Sequence, residues 1–156
     1  MARGISGRPL ARLGTTLGAP TFILTQDITM TAATTGTSET SGDLSVASNL
    51  GFKYRVLEID ACATAVTNPA GTATAPTVQV YAGTSSGTSL TTSALSLSTA
   101  AVGGVVNSKF GAMKAGVFVD VTASQPLVAK IVIAESGNLE VGDSWTLRLH
   151  LVCVKV

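Results

Sequence analysis

Hydrophobic and polar positions alternate with a period of two along much of the chain, and no stretch sustains the 3.6-residue period of an amphipathic helix. The clearest run is the last. Trp145, Leu147, Leu149, Leu151 and Cys153 alternate with Thr146, Arg148, His150, Val152 and Val154. One face of that strand is wholly apolar. The other begins polar and turns apolar over Leu151–Val156, as a strand does when its end meets a second surface. Thr77–Ala82 alternates around Val78 and Val80, Val117–Thr122 around Val117, Val119 and Val121, and Leu127–Ala134 around Leu127, Ala129, Ile131 and Ile133. Thr21–Thr31 predicts a strand by its mixture of Phe22, Ile23, Leu24, Ile28 and Met30 with threonine.

Phe52–Val66 carries a change of parity. Leu57, Ile59, Ala61, Ala63 and Ala65 fall on one face, and Glu58, Asp60, Cys62 and Thr64 on the other, yet Phe52, Tyr54 and Val56 have the opposite phase. A strand that swaps its buried face does so through a bulge or by passing between sheets. Leu90–Ser98 predicts a further strand around Leu95 and Leu97, and Val102–Phe110 is a weaker one because of Gly103 and Gly104. Between these runs, Thr34–Gly42 and Gly83–Ser89 read as loops and Asn68-Pro69-Ala70-Gly71 breaks the chain. Ser136-Gly137-Asn138 and Gly142-Asp143 mark Glu135–Asp143 as a compact hairpin loop. The pattern predicts an all-β protein, a single β-sandwich or jelly-roll domain of about 7–9 strands over residues 21–156. Residues 1–20, with Pro9, Pro20 and scattered glycines, predict an extended N-terminal arm.

Composition adds a tension. Mean hydropathy is +0.44 and 12% of residues are charged, where a soluble domain has about 25%. No apolar run approaches the roughly 18 residues of a spanning helix. Either uncharged Thr, Ser and Gly coat the surface, or other protein covers it. Net charge is +1, which gives no global field towards nucleic acid or an anionic membrane. Neither is expected as a partner. Arg3, Arg8 and Arg12 are the only charges before Asp27. They are too sparse for a nucleic-acid tail and suit an acidic protein groove; a terminus with no role is the alternative. The start of the chain lacks the apolar core of a secretory signal.

Candidate chemistry is thin. His150, the single histidine, falls on the outer face of the last strand beside Arg148, and no serine sits in a nucleophile elbow. One histidine with Cys62 and Cys153 does not make a zinc set. Both cysteines lie in strands and read as small buried hydrophobes rather than a disulfide. Glu58 and Asp60 share a strand face and read as a solvated or interface-facing pair. Trp145 falls on the apolar face and reads as core. Gly103-Gly104 lacks the Lys and Thr of a phosphate loop. No catalytic residue, metal site or cofactor is expected, and the chain does not read as an enzyme.

YRVLEIDACATA at 54–65, VQVYAGTSSGTS at 78–89 and VFVDVTASQPLVAKIVIAESGNLEVGDSWTLRLHLVCVKV at 117–156 resemble virion structural proteins of tailed bacteriophages. The likeness is to capsid decoration (cement) or head-fibre proteins of β-sandwich type. It lies in a Thr/Ala/Gly/Ser-rich strand-and-loop style, without an invariant motif. The resemblance implies a homo-oligomer, a trimer in particular, seated on the major capsid protein or other virion subunits at the capsid surface and made in the host bacterial cytoplasm. It also implies a terminal arm reaching over neighbours. The expected contacts are Arg3, Arg8 and Arg12 on the arm and Val152, Val154 and Val156 on the last strand. A tail, fibre or minor-capsid component, or a carbohydrate-binding module for host surfaces, is the alternative.

Overall fold

The structure, a computed structural model, describes residues 20–67, 76–97, 106–108 and 119–156. Most of the arm and the Asn68–Gly71 break therefore lie outside the described residues, as do parts of the expected strands at 90–98, 102–110 and 117–122. Eleven strands and no helix occur among the described residues: β1 Thr21–Thr31, β2 Gly36–Thr40, β3 Leu44–Ala47, β4 Tyr54–Thr67, β5 Thr77–Ala82, β6 Thr88–Ser89, β7 Leu95–Ser96, β8 Val106–Ser108, β9 Asp120–Val121, β10 Leu127–Leu139 and β11 Ser144–Lys155. They form two antiparallel sheets. The first runs β1-β11-β4-β8 with β9 also on β4, and the second runs β2-β10-β5-β6 with β3 also on β10 and β7 also on β5.

Short segments sharing a neighbour occupy one strand position each: β2 with β3, β6 with β7, β8 with β9. Counted so, eight positions divide between the sheets in the orders 1-8-3-6 and 2-7-4-5. This is the jelly roll, two interleaved Greek keys closed into a double sheet. The core lies between the sheets. Trp145, Leu147, Leu149 and Leu151 of β11 and Val78, Val80, Leu127, Ile131 and Ile133 of the opposite sheet are buried in one cluster. The period-two pattern of β10 and β11 is thus the two inner faces of a sandwich.

The parity change in β4 is resolved by a bulge. Val152 pairs with Glu58 and Cys153 with Val56, so Leu57 has no partner on β11. Tyr54 and Val56 point inwards before it, Ile59, Ala61 and Ala63 after it. A second shift, with Thr146 on Ala65 and Leu147 on Ala63, leaves Thr64 over. Its Oγ1 donates to the Thr146 carbonyl at 3.2 Å. Burial then passes to Val66, so Leu57 and Ala65 leave the inner face that simple alternation assigned them.

Three expectations are corrected. Thr34–Gly42 is not all loop, because β2 lies within it and pairs with β10. Its residues are polar because it is an edge strand with exposed side chains, and Glu39 folds back to accept the Ala33 and Thr34 amides at 3.0–3.2 Å. Glu135–Asp143 is not a hairpin loop. β10 continues to Leu139, and the turn Glu140–Asp143 carries the chain to the other sheet, since β10 and β11 never pair. Gly142 takes φ +100°, which L side chains rarely adopt, and the buried Asp143 carboxylate accepts the Glu140 amide at 2.8 Å. The described part of Leu90–Ser98 is not one strand. Leu95 and Leu97 are buried as alternation predicts, and Leu90 of the opposite parity is buried too. β6 ends at Ser89 and β7 begins at Leu95, with the Thr91 hydroxyl donating to Ser93 O at 2.7 Å between them.

Candidate interaction face

The outer face of the β1-β11-β4 sheet collects the side chains singled out on the last strand. Register sets its rows. Thr21, Val154 and Arg55 form one, Ile23, Val152 and Glu58 the next, Thr25, His150 and Asp60 the third, Asp27, Arg148 and Cys62 the fourth. Val152 and Val154 are half-buried, and Val156 is 53% exposed, its amide donating to Lys53 O at 3.0 Å. Two further aliphatic residues join them. Ile23 is 59% exposed beside Val152, and Leu57 is 36% exposed because the bulge turns it outwards. Arg3, Arg8 and Arg12 lie outside the described residues.

The two aliphatic residues missing from the sequence reading had different visibility. Phe22-Ile23-Leu24 is an apolar triplet, and period two forces its middle member onto the face opposite its neighbours. Leu57 shows itself only once the bulge is located, because alternation alone groups it with Ile59.

Paired charges bracket the aliphatic strip. At one end Asp120 binds Arg55 Nε at 2.6 Å and Lys53 Nζ at 2.8 Å. Hydrogen bonds from Arg55, then Lys53, hold its carboxyl below the usual carboxylate range. At the other end Arg148 grips both Asp27 oxygens at 2.8 Å, and this lowers the Asp27 carboxyl similarly. His150 Nδ1 stands 3.9 Å from Asp60 Oδ2, beyond hydrogen-bond reach. Glu58 is exposed on the same face. No group of three metal-ligating side chains occurs among the described residues.

The cysteines are unpaired and differ from one another. Cys153 is buried, and that burial pushes its thiol up to about 11. Cys62 is half-buried on the outer face opposite Arg148, so it is not the core residue expected. Phe22, Phe52, Tyr54 and Trp145 turn towards the core, whereas Tyr81 alternates with buried Val80 and Ala82 and lies half-buried on the outer side of β5. Phe22, Phe52 and Tyr54 meet edge-on with centroids 5.7–6.1 Å apart, and Trp145 is fully buried. Chemically the face offers an aliphatic strip with ion pairs at two of its borders and the exposed carboxylate of Glu58 in the Ile23–Val152 row.

No protein-family model matches the chain, and comparison with curated proteins finds no match. Solved structures of related shape include the crystal structure of FLHE, with TM-score 0.47 and 12% identity over 88% of this chain and 100% of that one. A cyanophage Pam1 capsid chain overlaps with TM-score 0.41 and 16% identity over 87% of this chain and 85% of that one. A chain of infectious bursal disease virus, Gx strain, overlaps with TM-score 0.44 and 12% identity over 87% of this chain and 32% of that one. Overlaps this loose assign neither a family nor a function.

Proposed function

We propose that the chain is a non-enzymatic virion protein that decorates and stabilises a bacteriophage capsid. The observation that carries this reading is the aliphatic strip on one sheet face, with Ile23, Leu57 and Val156 exposed and Val152 and Val154 half-buried between charged and polar neighbours. Contiguous apolar surface rimmed by polar groups marks an interaction site. The strip lies where residues 1–20 join the sandwich, since Pro20 O accepts the Lys155 amide at 3.3 Å. The reading adds to the strip the N-terminal segment with Arg3, Arg8 and Arg12 as a second contact. Strip and arm together would bind the major capsid protein at two linked contacts, each modest, with avidity holding the protein in place.

The jelly roll also serves lectins. Sugar recognition stacks rings on exposed aromatics, and the one described aromatic on an outer strand face, Tyr81, is half-buried with its hydroxyl donating to Gln79 Oε1 at 3.0 Å. This favours the virion reading.

The test is co-sedimentation with capsids of the phage that encodes the chain, using full-length protein, a Val152→Lys variant and a chain lacking residues 1–20. Both changes should leave the fold intact and weaken binding by about tenfold or more, the loss expected when a central apolar contact becomes charged. Unchanged binding by both variants overturns the proposal. Density located on the tail or fibre in electron micrographs replaces decoration with the tail or fibre role.

A further inference from the structure

β1 forms one edge of its sheet. β11 lies along one side of it, and among the described residues no strand is hydrogen-bonded along the other. Pro20 O accepts the Lys155 amide and Ala32 N donates to Asp143 O, so even-numbered residues direct their backbone groups at β11. The odd-numbered residues, Thr21 through Thr31, direct theirs outwards. Of these groups Asp27 O is met by the Gln26 side-chain amide at 2.9 Å. β3 comes close from the facing sheet without a backbone hydrogen bond to β1.

Natural edge strands are blunted by lysines, prolines, bulges or inward charges. β1 has none of these. Its pairing with β11 runs over all 11 residues without a register shift, and its one charge, Asp27, is neutralised by Arg148. Ile23 stands exposed on it, and Phe22 and Leu24 are only half-buried.

We propose that this edge pairs antiparallel with β1 of a second copy, about a twofold axis at Gln26, so that one sheet continues across two subunits. In that register odd residues face odd residues, as the hydrogen bonds require. Thr21 meets Thr31, Ile23 meets Thr29 and Thr25 meets Asp27 on the outer face. Phe22 meets Met30 and Leu24 meets Ile28 on the inner face, and the two Gln26 amides meet on the axis. A slip one way sets Ile23 against Asp27 and Leu24 against Gln26. A slip the other way sets Asp27 against Asp27. The strand is thus self-complementary in one register, which is what an isologous contact demands. The pairing does not depend on capsid binding. It closes at two copies, unlike the trimer implied by the family resemblance.

Sedimentation equilibrium of the full-length protein tests the stoichiometry, and hydrogen exchange tests the surface. A dimer is expected, with the Ile23 and Thr25 amides gaining protection as concentration rises. Thr25→Pro deletes an outward amide that β11 does not use, and Ile23→Lys places a charge on an exposed edge residue without touching the core. Each should raise the dimer Kd about tenfold or more, because every lost contact is lost twice across the axis. A chain that remains monomeric at high micromolar concentration overturns the proposal. So does a trimer, or a dimer that neither variant weakens.

Discussion

Tyr54→Phe should make this protein more stable. Tyr54 is fully buried at the start of β4, and its hydroxyl has no hydrogen-bond partner among the described residues. Burial, with the neighbouring Cys153 as a smaller cause, pushes its ionisation up to about 12. The ring sits edge-on to Phe22 at 5.7 Å and to Phe52 at 6.1 Å, and phenylalanine keeps both contacts. What the substitution removes is a desolvated, unpaired hydroxyl, whose burial costs about 1–3 kcal/mol. Stability should therefore rise by about that amount, with Tm higher by about 2–4 °C for each kcal/mol in a chain of this size. Urea unfolding with an unchanged m-value measures it. Tyr54→Leu is the control, expected to destabilise because the aromatic contacts are lost as well. Alkaline titration gives a second readout with a definite sign. Between the unfolded value of 10.0 and the folded value of about 12, the folded chain keeps a proton that the unfolded chain releases, so stability falls as pH rises. Tyr54→Phe removes that part of the decline and leaves the part from Cys153 between 9.0 and about 11. A Phe variant less stable than the parent, with an unaltered alkaline profile, refutes the reasoning.

Thiol reagents should label Cys62 in the native protein and Cys153 only after unfolding, because Cys153 is buried with its thiol raised to about 11; equal labelling rates would contradict the placement. Gly87→Ala should destabilise by about 1–3 kcal/mol, as overpacking does, since a Cβ there would stand 2.5 Å from Ala82 O and 2.9 Å from Thr84 O, both backbone atoms that cannot rotate away. Denaturant melts check it. Asp120 is held below its usual value by Arg55 and Lys53, so its contribution is present above pH 3.8 and is lost as pH falls through the folded value. Asp120→Asn should blunt that acid-side loss, and NMR titration of the parent should place the Asp120 midpoint below 3.8.

Much of the fold was legible because its long strands have one buried face each. Trp145 through Cys153 and Leu127 through Ile133 alternate because the core takes every second residue, and period two survives translation into sequence. The parity break between Val56 and Leu57 was legible for the same reason, since a buried face cannot change sides without an extra residue. What escaped were features that depend on pairing rather than burial. β2 is a polar edge whose strand character comes from β10, so nothing in Gly36–Thr40 distinguishes it from a loop. The turn after Leu139 looks locally like a hairpin turn. Whether the next strand returns alongside β10 or crosses to the other sheet is decided by β1 and β4, which already flank β11.

The aliphatic strip shows both limits at once. Val152, Val154 and Val156 were visible because a strand whose inner face is already apolar has no core use for apolar residues on its outer face. Their neighbours Ile23 and Leu57 arrive from strands far away in sequence, one by register and one by a bulge. A surface of this kind cannot be read from any single segment. Its separate members look like ordinary exposed aliphatics, and only the register of three strands makes them contiguous. That contiguity gathers part of the chain's surplus of apolar residues onto one face, beside charged neighbours such as Glu58 and Arg55. The face can be tested by placing one lysine in it.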